Sequence, residues 1–291
     1  MHYQTRQTCQ TELPSDEAFE AEQPGHKRFR DLADALKEAE RRANAVQFPQ
    51  PLLNFLYMKT RRTSLSQAEW ERHVRVATAF DENLTRFGSA PLLKQIADQL
   101  AVPPRDALAA ELTFAPTLAL TYHGGYSVLL RRLFGRFHPD GVAIGAVGKY
   151  AARDGAFALF AAREALLEAK PALVAPDGRF GKEALAISVL GAQVPVTDGA
   201  PFLAHATGCN VVWLALIWKT HGFTVEAIAG PRRDAGEPFA DYRGRLYQFY
   251  ADRLEQAFTG DPLNLPLTKN WKFIFSAMLD GKVHRFRRPT R

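Results

Sequence analysis

Apolar residues recur every three to four positions in the first third of the chain and form short unbroken runs in the middle. From Lys27 to Val46, Phe29, Leu32 and Leu36 fall at i, i+3 and i+7 among charged residues, which predicts an amphipathic helix. Ser66-Gln-Ala-Glu69 has the form of a capping box. Behind it, residues 67–86 set Trp70, His73, Val74, Ala77, Phe80 and Leu84 on one helical face. Residues 89–112 keep a helical pattern, broken at Pro103-Pro104. The period changes after Pro116. Thr117–Tyr122 and Gly141–Val147 are short apolar runs near glycine and read as buried strands. Ala151–Lys170 reads as a long Ala/Leu/Phe-rich helix, Pro171–Ala175 as a strand and Asp198–Thr207 as a short helix. Strands follow at Asn210–Trp218 and Phe223–Ala229. A helix at Ala240–Phe258 then carries Leu246, Phe249, Tyr250, Arg253, Leu254 and Ala257 along one side.

Strands alternating with helices predict an α/β fold: a central, mainly parallel sheet flanked by helices, with a helical N-terminal region. The expected organisation is a polar, poorly ordered segment at 1–26, helices over 27–112, an α/β core over 113–268 and a basic segment at 269–291.

Composition narrows the class. With 46% hydrophobic and 23% charged residues in 291, the chain can bury a sizeable core, which excludes wholesale disorder. Cys9 and Cys209 are too few for a disulfide framework or a four-cysteine zinc site, which favours a reducing compartment. The N-terminus lacks the apolar region of a secretory signal. The longest stretch free of charge, Gly199–Trp218, is interrupted by Pro201, His205 and the turn Thr207-Gly208-Cys209-Asn210, so no segment reads as a membrane span. A cytoplasmic protein is expected, with peripheral attachment at the inner membrane surface left open. The net charge of +6 resides at the C-terminus: residues 269–291 hold seven Lys/Arg against Asp280 alone, and the remaining residues balance. There Trp271, Ile274, Phe275 and Met278 recur at helical spacing ahead of Arg285, Arg287, Arg288 and Arg291. Two readings stand: a docking element for an acidic carrier protein or an anionic membrane, or a helix packed on the core with a solvated tail. Nucleic acid is not expected as a partner.

The chain has no GxxxxGK[ST], GxGxxG after a strand, GxSxG or HExxH motif, and its eight histidines are not spaced as metal ligands. His123 is the most informative polar residue. It follows the run TLALTY and precedes Gly124-Gly125, so its imidazole would stand at the carboxyl end of a strand, where α/β proteins bind ligands. There a histidine can act as general base, and the Gly124 and Gly125 amides can serve a developing oxyanion. Asp177 and Arg179 follow the next strand in Pro-Asp-Gly-Arg-Phe-Gly. Thr197 or Asp198 is placed to cap a short helix ended by Gly208, a candidate anion site.

In order and spacing, these three segments resemble the lysophospholipid acyltransferase superfamily, and most closely its lipid A late acyltransferase (lauroyl/myristoyl transferase) branch. The family's strand ending in His corresponds to Thr117–His123 and its Pro-Asp segment to Pro176-Asp177. Its PTGPAxLAxxTGAPVV run corresponds to Thr197-Asp-Gly-Ala-Pro-Phe-Leu-Ala-His-Ala-Thr-Gly-Cys-Asn-Val-Val212. The likeness spans roughly residues 115–230. It implies transfer of an acyl group from a thioester to a hydroxyl or amine, with acyl-ACP (acyl carrier protein) or acyl-CoA as donor and no bound cofactor or metal. His123 would be the general base, and Gly124, Gly125, Arg179 and Thr197 would contact substrate. The chain departs from the pattern at Val128, where the family has Asp or Glu five residues after its histidine; Asp177 is the candidate to replace it. The family's N-terminal membrane helix has no counterpart. Use of another activated acyl group, such as aminoacyl, and a non-catalytic lipid- or carrier-binding role are the alternatives.

Overall fold

A computed structural model describes residues 29, 31–60, 65–88, 90–100, 116–124, 126–138, 140–144, 155–177, 185–219, 222–265, 267 and 269–279. The segments 1–26 and 280–291, and with them the four tail arginines, lie outside the described residues.

Among the described residues the first helices are α1 (Leu32–Arg42), α2 (Gln50–Thr60), α3 (Gln67–Phe87) and α4 (Ala90–Leu100). α3 starts at the expected capping box. Glu69 N–H donates to Ser66 Oγ, and Ser66 N–H donates to the Glu69 carboxylate at 2.9 Å. The core strands are β1 (Thr117–Leu120), β2 (Val142–Ile144), β3 (Ala172–Val174), β6 (Asn210–Lys219) and β7 (Gly222–Ala229). They form one sheet in the order β2-β3-β1-β6-β7, parallel except for the β6–β7 pair. β1 is buried throughout. Leu118 and Leu120 point into one layer and Ala119 into the other, which is why TLAL is continuously apolar rather than alternating.

Helices cover both faces. One layer is filled by α1, α4 and α5 (Ser127–Phe137), with Leu129, Leu130, Leu133 and Phe134 of α5 in its core. The other holds α2, α6 (Gly155–Leu167), α7 (Gly199–Thr207), α8 (Phe239–Thr259) and α9 (Lys269–Leu279). α3 contributes to both, through Trp70 and Val74 on one side and Phe80 and Leu84 on the other.

The β4–β5 hairpin (Leu185–Val189, Ala192–Val196) and α2 are additions to the sequence expectation. The hairpin turns at Leu190 and Gly191, both at positive φ, where a leucine hides the usual Asn-Gly signal. α2 is apolar around much of its circumference and so lacks a clear stripe. In α9, Trp271 and Phe275 are fully buried against Phe258. The aromatic face of this helix is therefore core, which removes it from the docking reading. Among the described residues, no helix is long and apolar enough to cross a membrane.

Connectivity singles out one place in the sheet. From β1 the chain leaves through α5 on one face towards β2. From the neighbouring β3 it leaves through the hairpin and α7 on the other face and returns as β6. Adjacent strands whose connections part to opposite faces leave a crevice at their carboxyl ends. Those ends carry His123 and Asp177.

Candidate active site

His123 is held by its main chain. Its N–H donates to both oxygens of Asp177, at 3.0 and 2.9 Å, and its C=O accepts from Trp271 Nε1 at 2.7 Å. Asp177, 4% exposed, also accepts from the Tyr250 hydroxyl at 2.6 Å, and that hydroxyl lies 2.9 Å from the Thr121 carbonyl. Charge-assisted bonds of this kind are roughly twice as strong as neutral ones. Burial, then the Asp177 charge, holds the Tyr250 phenol well above its ordinary pKa, so it stays a proton donor to the carboxylate.

The ring is treated differently from the backbone. Asp177 Oδ1 lies 3.5 Å from His123 Nδ1, too long for a good hydrogen bond. Nδ1 and Nε2 are both shielded from solvent, and neither has a hydrogen-bond partner among the described residues. Asp177 thus comes to the histidine from another strand, but it grips the amide more firmly than the imidazole. Val128 stands in the first turn of α5 and offers no acid.

The loop into α5 is fixed from outside. Tyr126, its N-cap, has φ 65°, and its N–H donates to Asp81 of α3 at 3.0 Å. Burial pushes the Asp81 carboxyl up to about 6, against the opposing effect of that hydrogen bond. The Tyr126 hydroxyl donates to the Leu263 carbonyl at 2.6 Å. Gly124 has φ 126°, a conformation that needs glycine.

Other expected roles change. The Gly124 N–H donates to Ser127 Oγ at 3.2 Å, so it is already engaged and is not a free oxyanion donor. Thr197 ties loops together. Its N–H and hydroxyl reach the Pro176 carbonyl at 3.0 and 3.4 Å, and its carbonyl accepts from the Tyr247 hydroxyl, so it is not displayed as an anion binder. Asp198 is the N-cap residue of α7 but makes no side-chain cap; its carboxylate pairs with Arg243 at 3.1 Å. Gly208 ends α7 at φ 65°, as its sequence suggests. Gly125 and Arg179 lie outside the described residues.

The sequence pattern does not mark Tyr250, Trp271, Asp81 or Arg131 as site residues. The first three reach the site from 45 to 148 positions away, a separation that no local spacing records. Among the described residues, no group of three or more His, Cys, Asp or Glu could hold a metal ion. Compared with protein-family models and with curated proteins, the chain gives no match.

Proposed function

We propose that the chain is an acyltransferase that moves an acyl group from a thioester, on acyl carrier protein or coenzyme A, to a hydroxyl or amine. The observation that carries this reading is the contrast within His123. Its main chain is clamped at both ends, while its ring nitrogens, at the switch point of a mostly parallel sheet, have no hydrogen bond among the described residues. The resemblance to the lysophospholipid acyltransferase superfamily points the same way, with Asp177 supplying from β3 the carboxylate that Val128 does not.

The Asp177 charge beside Nδ1 favours the tautomer protonated there, leaving Nε2 as the basic nitrogen. Nε2 takes the acceptor's proton as its oxygen or nitrogen attacks the thioester carbonyl. The C–S bond then breaks, and the imidazolium returns the proton to the departing thiolate. The products are the ester or amide and a free thiol.

The test is thiol release from a panel of acyl- and aminoacyl-thioesters, with and without hydroxyl and amine acceptors. Wild type should turn over at least one donor. His123→Ala with an unchanged melting temperature should lose about 10²-fold or more. Binding of thioesters without turnover, or equal turnover by the variant, would replace the enzyme by a carrier-binding protein or by different chemistry.

A further inference from the structure

α5 carries a second unmatched group. Its apolar residues Leu129, Leu130, Leu133 and Phe134 fill the core, but Arg131 is also only 4% exposed, and its Nε and Nη2 are buried without a hydrogen-bond partner among the described residues. Buried guanidinium groups are ordinarily paired, because removing the charge from water is costly. Nε and Nη2 form the side-on edge that grips two oxygens of one anion. This protein uses that edge elsewhere: Arg41 holds Glu38 at 2.9 and 2.6 Å, and Arg245 holds Glu237 at 2.8 and 2.6 Å, each through Nε and Nη2. On Arg131 the same edge has no protein acceptor among the described residues.

Its position relates it to the histidine. Helical side chains lean towards the N-terminus, and the N-terminus of α5 is the end that follows β1 and the His123 loop. Burial weakens the hold of Arg131 on its proton, and the negative charge of Asp177 opposes that effect. The two form no direct ion pair, and Asp177 is already engaged by His123 N–H and Tyr250. The N-terminal end of α5 adds its partial positive charge to the same region.

We infer that the Nε/Nη2 edge of Arg131 is the seat of a substrate oxyanion, a carboxylate borne by the acyl acceptor close to its nucleophilic hydroxyl or amine. This rests on the acyltransfer reading for the word acceptor, but the anion site itself does not. A hydroxy or amino acid would place its carboxylate on Arg131 and its nucleophile towards His123. The low-dielectric surroundings strengthen such a pair and reject an acceptor that cannot fill it.

The experiment uses the full chain and small probes: glycolate and glycine as carboxylates, inorganic phosphate, and chloride at matched ionic strength. Binding is read by the arginine Nε–H resonances and by the thermal midpoint. Glycolate or glycine should move one buried Nε–H signal and raise the midpoint in wild type and in His123→Ala alike. Arg131→Lys, which keeps the charge and loses the two-donor edge, should weaken binding about tenfold or more, and Arg131→Gln should abolish it. An effect of phosphate without one of carboxylates would assign the oxyanion to a phosphate-bearing ligand and overturn the carboxylate. No response of any buried Nε–H signal in wild type, or equal binding by Arg131→Lys, would overturn the site and leave Arg131 as a counter-charge to Asp177. Loss of thioester turnover with anion binding intact would sink the acyltransfer reading alone.

Discussion

The helices α3 and α5 begin in opposite ways. At the start of α3, Ser66 and Glu69 satisfy each other's backbone amides within four residues, so the turn is complete in itself. At the start of α5 the N-cap Tyr126 is in the left-handed region without a side-chain cap, and the segment is held by Asp81, Asp177 and Trp271 from three distant elements. A left-handed non-glycine residue costs of order 1–3 kcal/mol and persists where the surroundings over-determine it. The first arrangement serves only to start a helix. The second fixes His123 in one place at the switch point, at the expense of local self-sufficiency.

The largest effect should come from removing the outside hold. Asp177→Ala leaves the His123 amide without its acceptor and removes the charged one from Tyr250, inside the protein. It should cost about 3–5 kcal/mol, from about 1–3 kcal/mol for the amide left unpaired and about 1.5–3 kcal/mol for the charged hydrogen bond lost by Tyr250. Urea denaturation measures it. A loss below about 1 kcal/mol would mean that the strand ends are not held together by this carboxylate. Turnover should fall with it, as in His123→Ala.

Next is the pH dependence set by Asp81. Its folded pKa of about 6 lies above the unfolded value of about 4, so the folded state binds the proton more tightly. The associated stability is fully present below about pH 4 and is lost as pH rises through about 6, a decline of about 2–3 kcal/mol at 1.36 kcal/mol per unit. Asp81→Asn should remove this decline from the difference between denaturation curves at pH 4 and pH 7. A difference unchanged by the substitution would show that the hold on Tyr126 is not electrostatically sensitive.

The same contrast explains what was legible in the sequence. Elements whose signals are local were readable: the capping box of α3, the apolar runs of β1 and β3, and the glycine that ends α7. The placement of His123 and Asp177 at strand ends follows from those runs. Their meeting depends on β1 lying beside β3, a parallel pairing written nowhere in the spacing. Tyr250 was visible as one residue of an apolar helical stripe, and only its hydroxyl contact with Asp177 gives it a further role. Arg131 sits beside Arg132 in SVLLRRLF, where paired basic residues read as a solvated face; burial separates the two. Trp271 belonged to a stripe open to two interpretations until its indole was found on the His123 carbonyl.

The smallest effect belongs to the self-contained end. Ser66→Ala removes the hydroxyl that accepts from Glu69 N–H, while Glu69 can still accept from the residue 66 amide. Half the reciprocal arrangement survives at an exposed position, where water can replace the lost partner. The cost should be about 1 kcal/mol, typical for loss of a serine cap. Denaturation midpoints of wild type and variant, compared at constant slope, check this, and thioester turnover measured well below the midpoint should be unchanged. A turnover loss without a matching stability loss would show that α3 transmits its start to Asp81, fourteen residues after its first position, and through it to the histidine loop. In that case the two helix starts would be one coupled device, and the separation between local capping and distant clamping would fail.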